Sequence, residues 1–437
     1  MINRVAIILL ITGAGHLFSI FTLKFVSQHC SPEQISAIAG VDAIVLLIIY
    51  VIALGLQPVA MRNISISDNW KEEYIKTQSA RVTLGIFMAF LSAFAFINPQ
   101  YLVFLFAPFF ALSGDYALYA RGYPIAGSLV AFFRLLIPFS LLVVTTIYFR
   151  AGVAYFYAFG IVLIYLTTNF FIARFLKTKL FFMPRVKSLS LYAKSLSLGL
   201  VSLSFYFLGV GILLVAKYLY PDEIIAVAFI GLKLYVIFKS VLRVIHQAFM
   251  KDMLNDSVCL KIDQLSILTG LLFGGSVLIF PETFISLMFG KQFVGQKNFF
   301  VLLGCSAITC SLFLSLTTKS LLEKKDKGYT KVMGYSMAIA LASVVILSYV
   351  MHKSLNSIAV SILLGETVIS IGLVKLSLKK KYFFNRIRFL FLNLGIFIVP
   401  LFMRIYFQDT LITYLSGFII VSFLFAFFHY KKFKALY

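Results

Sequence analysis

Apolar stretches of about twenty residues recur along the chain, each separated from the next by a short polar gap. A helix rises about 1.5 Å per residue, so such a stretch climbs some 30 Å, the thickness of a bilayer's hydrocarbon. The pattern predicts fourteen spans, at 4–27, 35–58, 80–98, 101–120, 125–149, 152–173, 195–218, 224–248, 263–289, 298–321, 330–351, 355–377, 387–407 and 411–430. A closed barrel is the other structure that satisfies every backbone polar group in lipid, but its strands alternate apolar and polar residues. Leu135 to Ile147 and Val344 to Val350 are instead nearly continuous, so the fold class is all-α and polytopic.

Charge fixes the threading. Most of the 39 Lys and Arg residues lie at the two ends or in alternate gaps, as in Arg174 to Lys194, Lys379-Lys380-Lys381 and the tail Lys431-Lys432-Phe433-Lys434. Short basic loops resist translocation, so these gaps belong on the cytoplasmic side, and fourteen crossings place both ends there. Arg4 precedes a stretch that stays apolar to Val26 without a small-residue cleavage site, so it reads as the first span and not as a signal peptide.

Composition agrees, since 61% apolar and 13% charged residues cannot dress the surface of a soluble domain. The net charge of +23 is concentrated in the inside loops, where it meets anionic lipid headgroups; no nucleic-acid partner is implied. Cys30, Cys259, Cys305 and Cys310 have no CxxC spacing, and the five histidines form no metal-binding pair. No cofactor or metal is expected. The 48 Phe and 23 Tyr suit lipid and the interfacial belt and decide nothing about sugar. Pro108, Pro138, Pro281 and Pro400 interrupt or bend spans.

The longer inside gaps divide the chain into a six-helix bundle at 1–174, a basic linker at 175–194, a second six-helix bundle at 195–381 and two further helices at 382–437. Leu118-Tyr-Ala-Arg-Gly122-Tyr123, after the fourth span, is echoed by Leu322-Glu-Lys-Lys-Asp-Lys-Gly328-Tyr329 after the tenth. Repeated halves of this kind place a pathway between two bundles.

Three stretches carry a family resemblance. Phe289-Gly-Lys-Gln-Phe-Val-Gly-Gln296 opens the tenth span, Ala53-Leu-Gly-Leu-Gln-Pro-Val-Ala-Met-Arg62 closes the second, and Ile358-Ala-Val-Ser-Ile-Leu-Leu-Gly-Glu366 embeds a Glu in the twelfth. In order and spacing they resemble the polysaccharide and O-antigen flippases (Wzx type) of the MATE-related (MOP) superfamily, over most of residues 4–381. The resemblance implies a bacterial inner-membrane protein that moves a polyprenyl-diphosphate-linked oligosaccharide, such as an O-antigen repeat of lipopolysaccharide, from the cytoplasmic to the outer leaflet. Alternating access around a cationic central cavity would do this without covalent catalysis. A polysaccharide polymerase and a chain-length regulator are the protein partners it implies.

Ionisable residues within the spans are the candidates for that work, because a charge at mid-membrane costs roughly 2.5–3.5 kcal/mol on insertion scales. Arg134 lies about 13 Å into the fifth span at the helical rise, too deep to reach an interface easily, and Lys233 lies in the outer-to-middle part of the eighth. Both are candidates to bind a substrate phosphate, with an intramembrane ion pair as the alternative. Lys239, Arg243 and His246 share one stripe of the eighth span toward its inner end, with Lys239 and Arg243 the further phosphate candidates. Asp42, Glu366 and His16 are candidates for ion pairing or for coupling to protons or sodium, while Asp115 near Arg121 also fits an ordinary helix end.

Two other classes compete. A membrane polymerase or lipid-linked glycosyltransferase would carry a large outer loop, whereas every outside gap here is short. A MATE-type drug or cation antiporter would carry an acid in the first span, and none precedes Glu33. GxxxxGK[ST] is absent, so ATP is not a direct drive.

Overall fold

The computed structural model describes residues 2–149, 152–248, 253, 255–323, 325–377 and 380–434. Lys324 and Lys379 lie outside this set, as do the side chains of Arg4, Lys380, Lys381 and Lys431 to Lys434. No strand occurs among the described residues. Among the described residues, thirteen helices are long and apolar enough to cross a membrane, and a bent pair, taken as one span, brings the count to fourteen, so the chain is a multi-pass membrane protein. Large apolar side chains face outward along these helices, Phe90 and Phe96 among the most exposed, as lipid-facing surfaces require.

The chain divides into two compact units, Met1–Phe229 and Ile230–Tyr437. In the first, the seventh span packs on the second. Tyr192 donates its hydroxyl to the Ile52 carbonyl (2.6 Å) and Tyr206 donates to that of Ala43 (2.7 Å). Gly55 permits this approach: its φ is +72°, and a Cβ there would stand 2.3 Å from the Ser195 carbonyl oxygen. In the second unit, spans nine and ten pack glycine to glycine, a Cβ on Gly274 falling 2.6 Å from the Gly304 carbonyl oxygen. Phe289 and Phe293, from the stretch that opens the tenth span, are buried, and Phe289 stacks on Phe300.

Several spans predicted as continuous are broken. The third and fourth become 3-10 helix toward the turn that joins them, over Phe90–Phe96 and Pro99–Phe106, with Asn98 capping the Gln100 amide. The fourth breaks again at Leu112–Gly114, between the short helices Ala107–Ala111 and Asp115–Ala120. The seventh bends by 77° between Val186–Phe207 and Val210–Ala216, at Gly209, whose backbone is not helical. The ninth, Asp256–Ile279, stops before Pro281, which begins the separate helix Pro281–Met288. The tenth breaks at Leu312–Phe313. Pro138, by contrast, lies inside the continuous helix Pro124–Tyr148.

The last two spans are anchored to the ninth by polar groups. Arg386 of the thirteenth and Asp263 of the ninth form an ion pair, both side chains fully buried. The other Asp263 oxygen accepts the Ser315 amide (2.8 Å), which the break in the tenth span has released from its helix. Between the last two spans, the Asp409 carboxylate accepts the amides of Glu282 and Thr283 and so caps the helix that Pro281 begins.

Candidate functional site

Within the first unit, the break in the fourth span assembles a polar cluster. Its freed carbonyls cannot be left unpaired away from water, and the third span satisfies them. Gln78 donates to the Leu112 carbonyl (2.8 Å), and the Arg81 guanidinium donates to that of Ser113 (2.6 Å) while lying against the Tyr116 ring. Gly114 lets the third span close on the break, since a Cβ there would fall 2.1 Å from the Tyr74 hydroxyl oxygen.

Arg134 enters from the fifth span, ten residues past Pro124, about 15 Å along the helix. It forms an ion pair with Asp115 (Nη1 to Oδ1, 3.2 Å), and its Nη2 donates to the Ser113 hydroxyl (2.9 Å). Nε reaches the Thr168 hydroxyl at 3.4 Å, and the guanidinium lies 4.2 Å from the centre of the Tyr165 ring. Ser113 in turn donates to Asp115 (2.6 Å). The alternative to a free phosphate site, an intramembrane ion pair, is thus present in the structure. Asp115 pairs with Arg134 and not with Arg121, whose guanidinium sits over Trp70.

Arg81 is the residue that sequence reading missed. The apolar pattern starts the third span at residue 80, so Arg81 looks like a marginal loop charge. The helix actually begins at Trp70, behind the polar first turns Lys71-Glu72-Glu73. That places Arg81 about 16 Å along it, with only 3% of its surface exposed.

Asp42 and His16 lie elsewhere in this unit. Asp42 is buried in the second span and accepts the Tyr157 hydroxyl at 2.7 Å. His16 is half-buried in the first, beside Gly15, which packs on Phe132 of the fifth.

The second unit brings Lys239 and Glu366 together. The ammonium pairs with Oε1 at 2.7 Å, and Tyr235 donates its hydroxyl to the same oxygen, also at 2.7 Å. Lys239, Arg243 and His246 do not act as one stripe. Arg243 is exposed, whereas His246 is buried with its Nε2 3.0 Å from the Ser266 hydroxyl. Lys233 is half-buried. Among the described residues, no group of three His, Cys, Asp or Glu side chains could hold a metal ion.

Neither protein-family models nor curated proteins match the chain. Solved structures do. The lipid II flippase MurJ, in an inward closed conformation, is similar at a TM-score of 0.71 and 12% identity over 98% of this chain and 99% of its own. A multidrug resistance MATE family transporter of the MOP superfamily, inward-facing, is similar at 0.63 and 14% identity, over 88% of this chain and 98% of its own. A MATE transporter in complex with MaL6 follows at 0.52 and 14%, over 86% and 97%. The chain has the fold that these transporters and this flippase share.

Proposed function

We propose that this chain flips a polyprenyl-diphosphate-linked oligosaccharide, such as an O-antigen repeat, from the inner to the outer leaflet of a bacterial cytoplasmic membrane. The observation that carries the reading is Arg134: a guanidinium deep in an apolar span, fixed by three neighbours and backed by the second buried cation, Arg81. Two such groups against one carboxylate leave a net positive site that suits a diphosphate, because a guanidinium matches phosphate oxygens in both charge and geometry. Headgroup transfer needs a polar path while the polyprenyl tail stays in lipid, and two bundles exposing a cationic cavity alternately to each side would supply it. Lys233, Lys239 and Arg243, in the second unit, are further candidate phosphate ligands, and Glu366, Asp42 and His16 are the groups from which proton or sodium coupling would be drawn.

The MurJ likeness supports flipping over drug export, since it spans nearly the whole chain whereas the MATE likenesses leave more than a tenth aside. The first span also offers no carboxylate for cation coupling. A polymerase and a chain-length regulator would act on the product at the outer face.

The test is complementation of a strain lacking its polysaccharide flippase, scored by surface glycan and by the leaflet that holds the lipid-linked sugar. Restored glycan, with the sugar cleared from the inner leaflet, is expected. No glycan, with the lipid-linked sugar still in the inner leaflet although the chain is present in the membrane, would overturn the assignment.

A further inference from the structure

The order of burial in the Arg134 cluster is the reverse of what a simple anion site would show. The acid is outermost: the Asp115 side chain is 25% exposed, Arg134 12%, and Arg81 lies deepest, against the broken backbone of the fourth span. An anion approaching the two guanidinium groups therefore meets a carboxylate first, and like charges at such distances repel by several-fold in affinity or more. A fixed Asp115 would defeat the site.

This carboxylate is held by a hydroxyl and a guanidinium, each of which could equally well bond a phosphate oxygen. Ser113 accepts from Arg134 and donates to Asp115, so one hydroxyl bridges both sides of the pair. The residue sits in the non-helical stretch Leu112–Gly114, whose carbonyls at 112 and 113 are held by side chains of the third span, Gln78 and Arg81. Behind it lies the buried Arg81, whose Nε has no hydrogen-bond partner, a donor left over away from water.

Resting on the flippase reading, we infer that Asp115 is an internal stand-in for the substrate's phosphate: it neutralises Arg134 while the site is empty, is displaced when a polyprenyl diphosphate binds to Arg134 and Arg81, and returns to expel the headgroup. Non-covalent exchange is all that is required. The bond from Arg134 to the carboxylate is replaced by bonds to phosphate oxygens, and Asp115 turns to its exposed side, where water solvates it. Without the stand-in, an empty site would bury two uncompensated cations, which is costly. With it, binding and release become a trade of one anion for another. Arg81 acts as a positioning residue toward Ser113 and as the second charge of the site.

Farnesyl diphosphate, a soluble short-chain polyprenyl diphosphate, is the probe, with farnesol as control, titrated into the purified full-length protein. Asp115→Asn should bind it about tenfold more tightly than the unaltered protein, because the competing charge is gone, while glycan export in cells falls. Tightness equal to or below that of the unaltered protein would overturn the exchange and leave Asp115 as an orienting group for Arg134.

A second measurement needs no variant. Carbodiimide labelling of Asp115, read by peptide mass spectrometry on the native protein, should rise when farnesyl diphosphate is added and stay unchanged with farnesol; constant or reduced labelling would contradict displacement. Failure of the flippase reading looks different. The unaltered protein and Arg134→Ala would then both fail to bind the diphosphate, whereas failure of the exchange alone leaves the unaltered protein binding through Arg134.

Discussion

Replacing Arg134 by Ala is expected to abolish glycan export in the complemented strain, and Arg134→Lys to retain part of it. The guanidinium reaches Asp115, Ser113 and Thr168 through three different nitrogens and lies on the Tyr165 ring. Lys keeps the charge but presents one nitrogen, so it can hold the carboxylate or Ser113 but not the whole set. Ala removes charge and geometry together and leaves Asp115 without its counter-ion. Loss of one partner of a buried pair costs about 3–5 kcal/mol, so the amount of protein in the membrane must be measured beside export. The double variant Arg134→Gln with Asp115→Asn separates the effects: it removes the uncompensated charge, should restore protein level, and should still fail to export. Full export by Arg134→Ala at normal protein level would remove Arg134 from the site.

The largest expected effect on stability lies at Asp263 and Arg386. Both side chains are fully buried, and the carboxylate also takes the Ser315 amide that the break in the tenth span sets free. Arg386→Met leaves a buried carboxylate without its cation, at a cost of about 3–5 kcal/mol. Detergent-solubilised protein should accordingly lose on the order of 10 °C in its unfolding midpoint. Arg386→Met combined with Asp263→Asn should recover most of that loss, because Asn still accepts the Ser315 amide and a neutral pair needs no compensation. A single variant as stable as the unaltered chain would mean that the last two spans are held by the Asp409 cap and their apolar contacts without this ion pair. Those contacts are present, since Phe397 packs on Gly275 and Tyr414 on Phe280 and Phe284.

These two sites also mark where the sequence stops being legible. Hydropathy locates all fourteen spans, because each must present a membrane's thickness of apolar residues whatever its neighbours do. Arg134 and Glu366 stand out for the same reason, as charges within continuous apolar runs. Arg81 and Arg386 do not, since each sits at the margin of its apolar run, where a basic residue reads as a topology signal. Their helices begin further back, at Trp70 and Lys380, in turns too polar for hydropathy to register.

Helix breaks are hidden for a different reason. The fourth span can stop at Leu112 because Gln78 and Arg81 take its carbonyls, and the tenth at Leu312 because Asp263 takes an amide. Both depend on partners far away in the chain. Pairings are equally invisible: Asp115 is closest in sequence to Arg121 yet finds Arg134, and Lys239 finds Glu366 on a helix more than a hundred residues later.

The most direct measurement is leaflet transfer in vesicles containing the purified protein alone. A fluorescent polyprenyl-diphosphate-linked oligosaccharide is placed in both leaflets, and a membrane-impermeant reductant reports how much reaches the outer one. With the unaltered protein the reductant should quench nearly all of the label, and with Arg134→Ala only the outer-leaflet pool, as in protein-free vesicles. Quenching limited to the outer pool with the unaltered protein, across the ion gradients tested, would contradict the account.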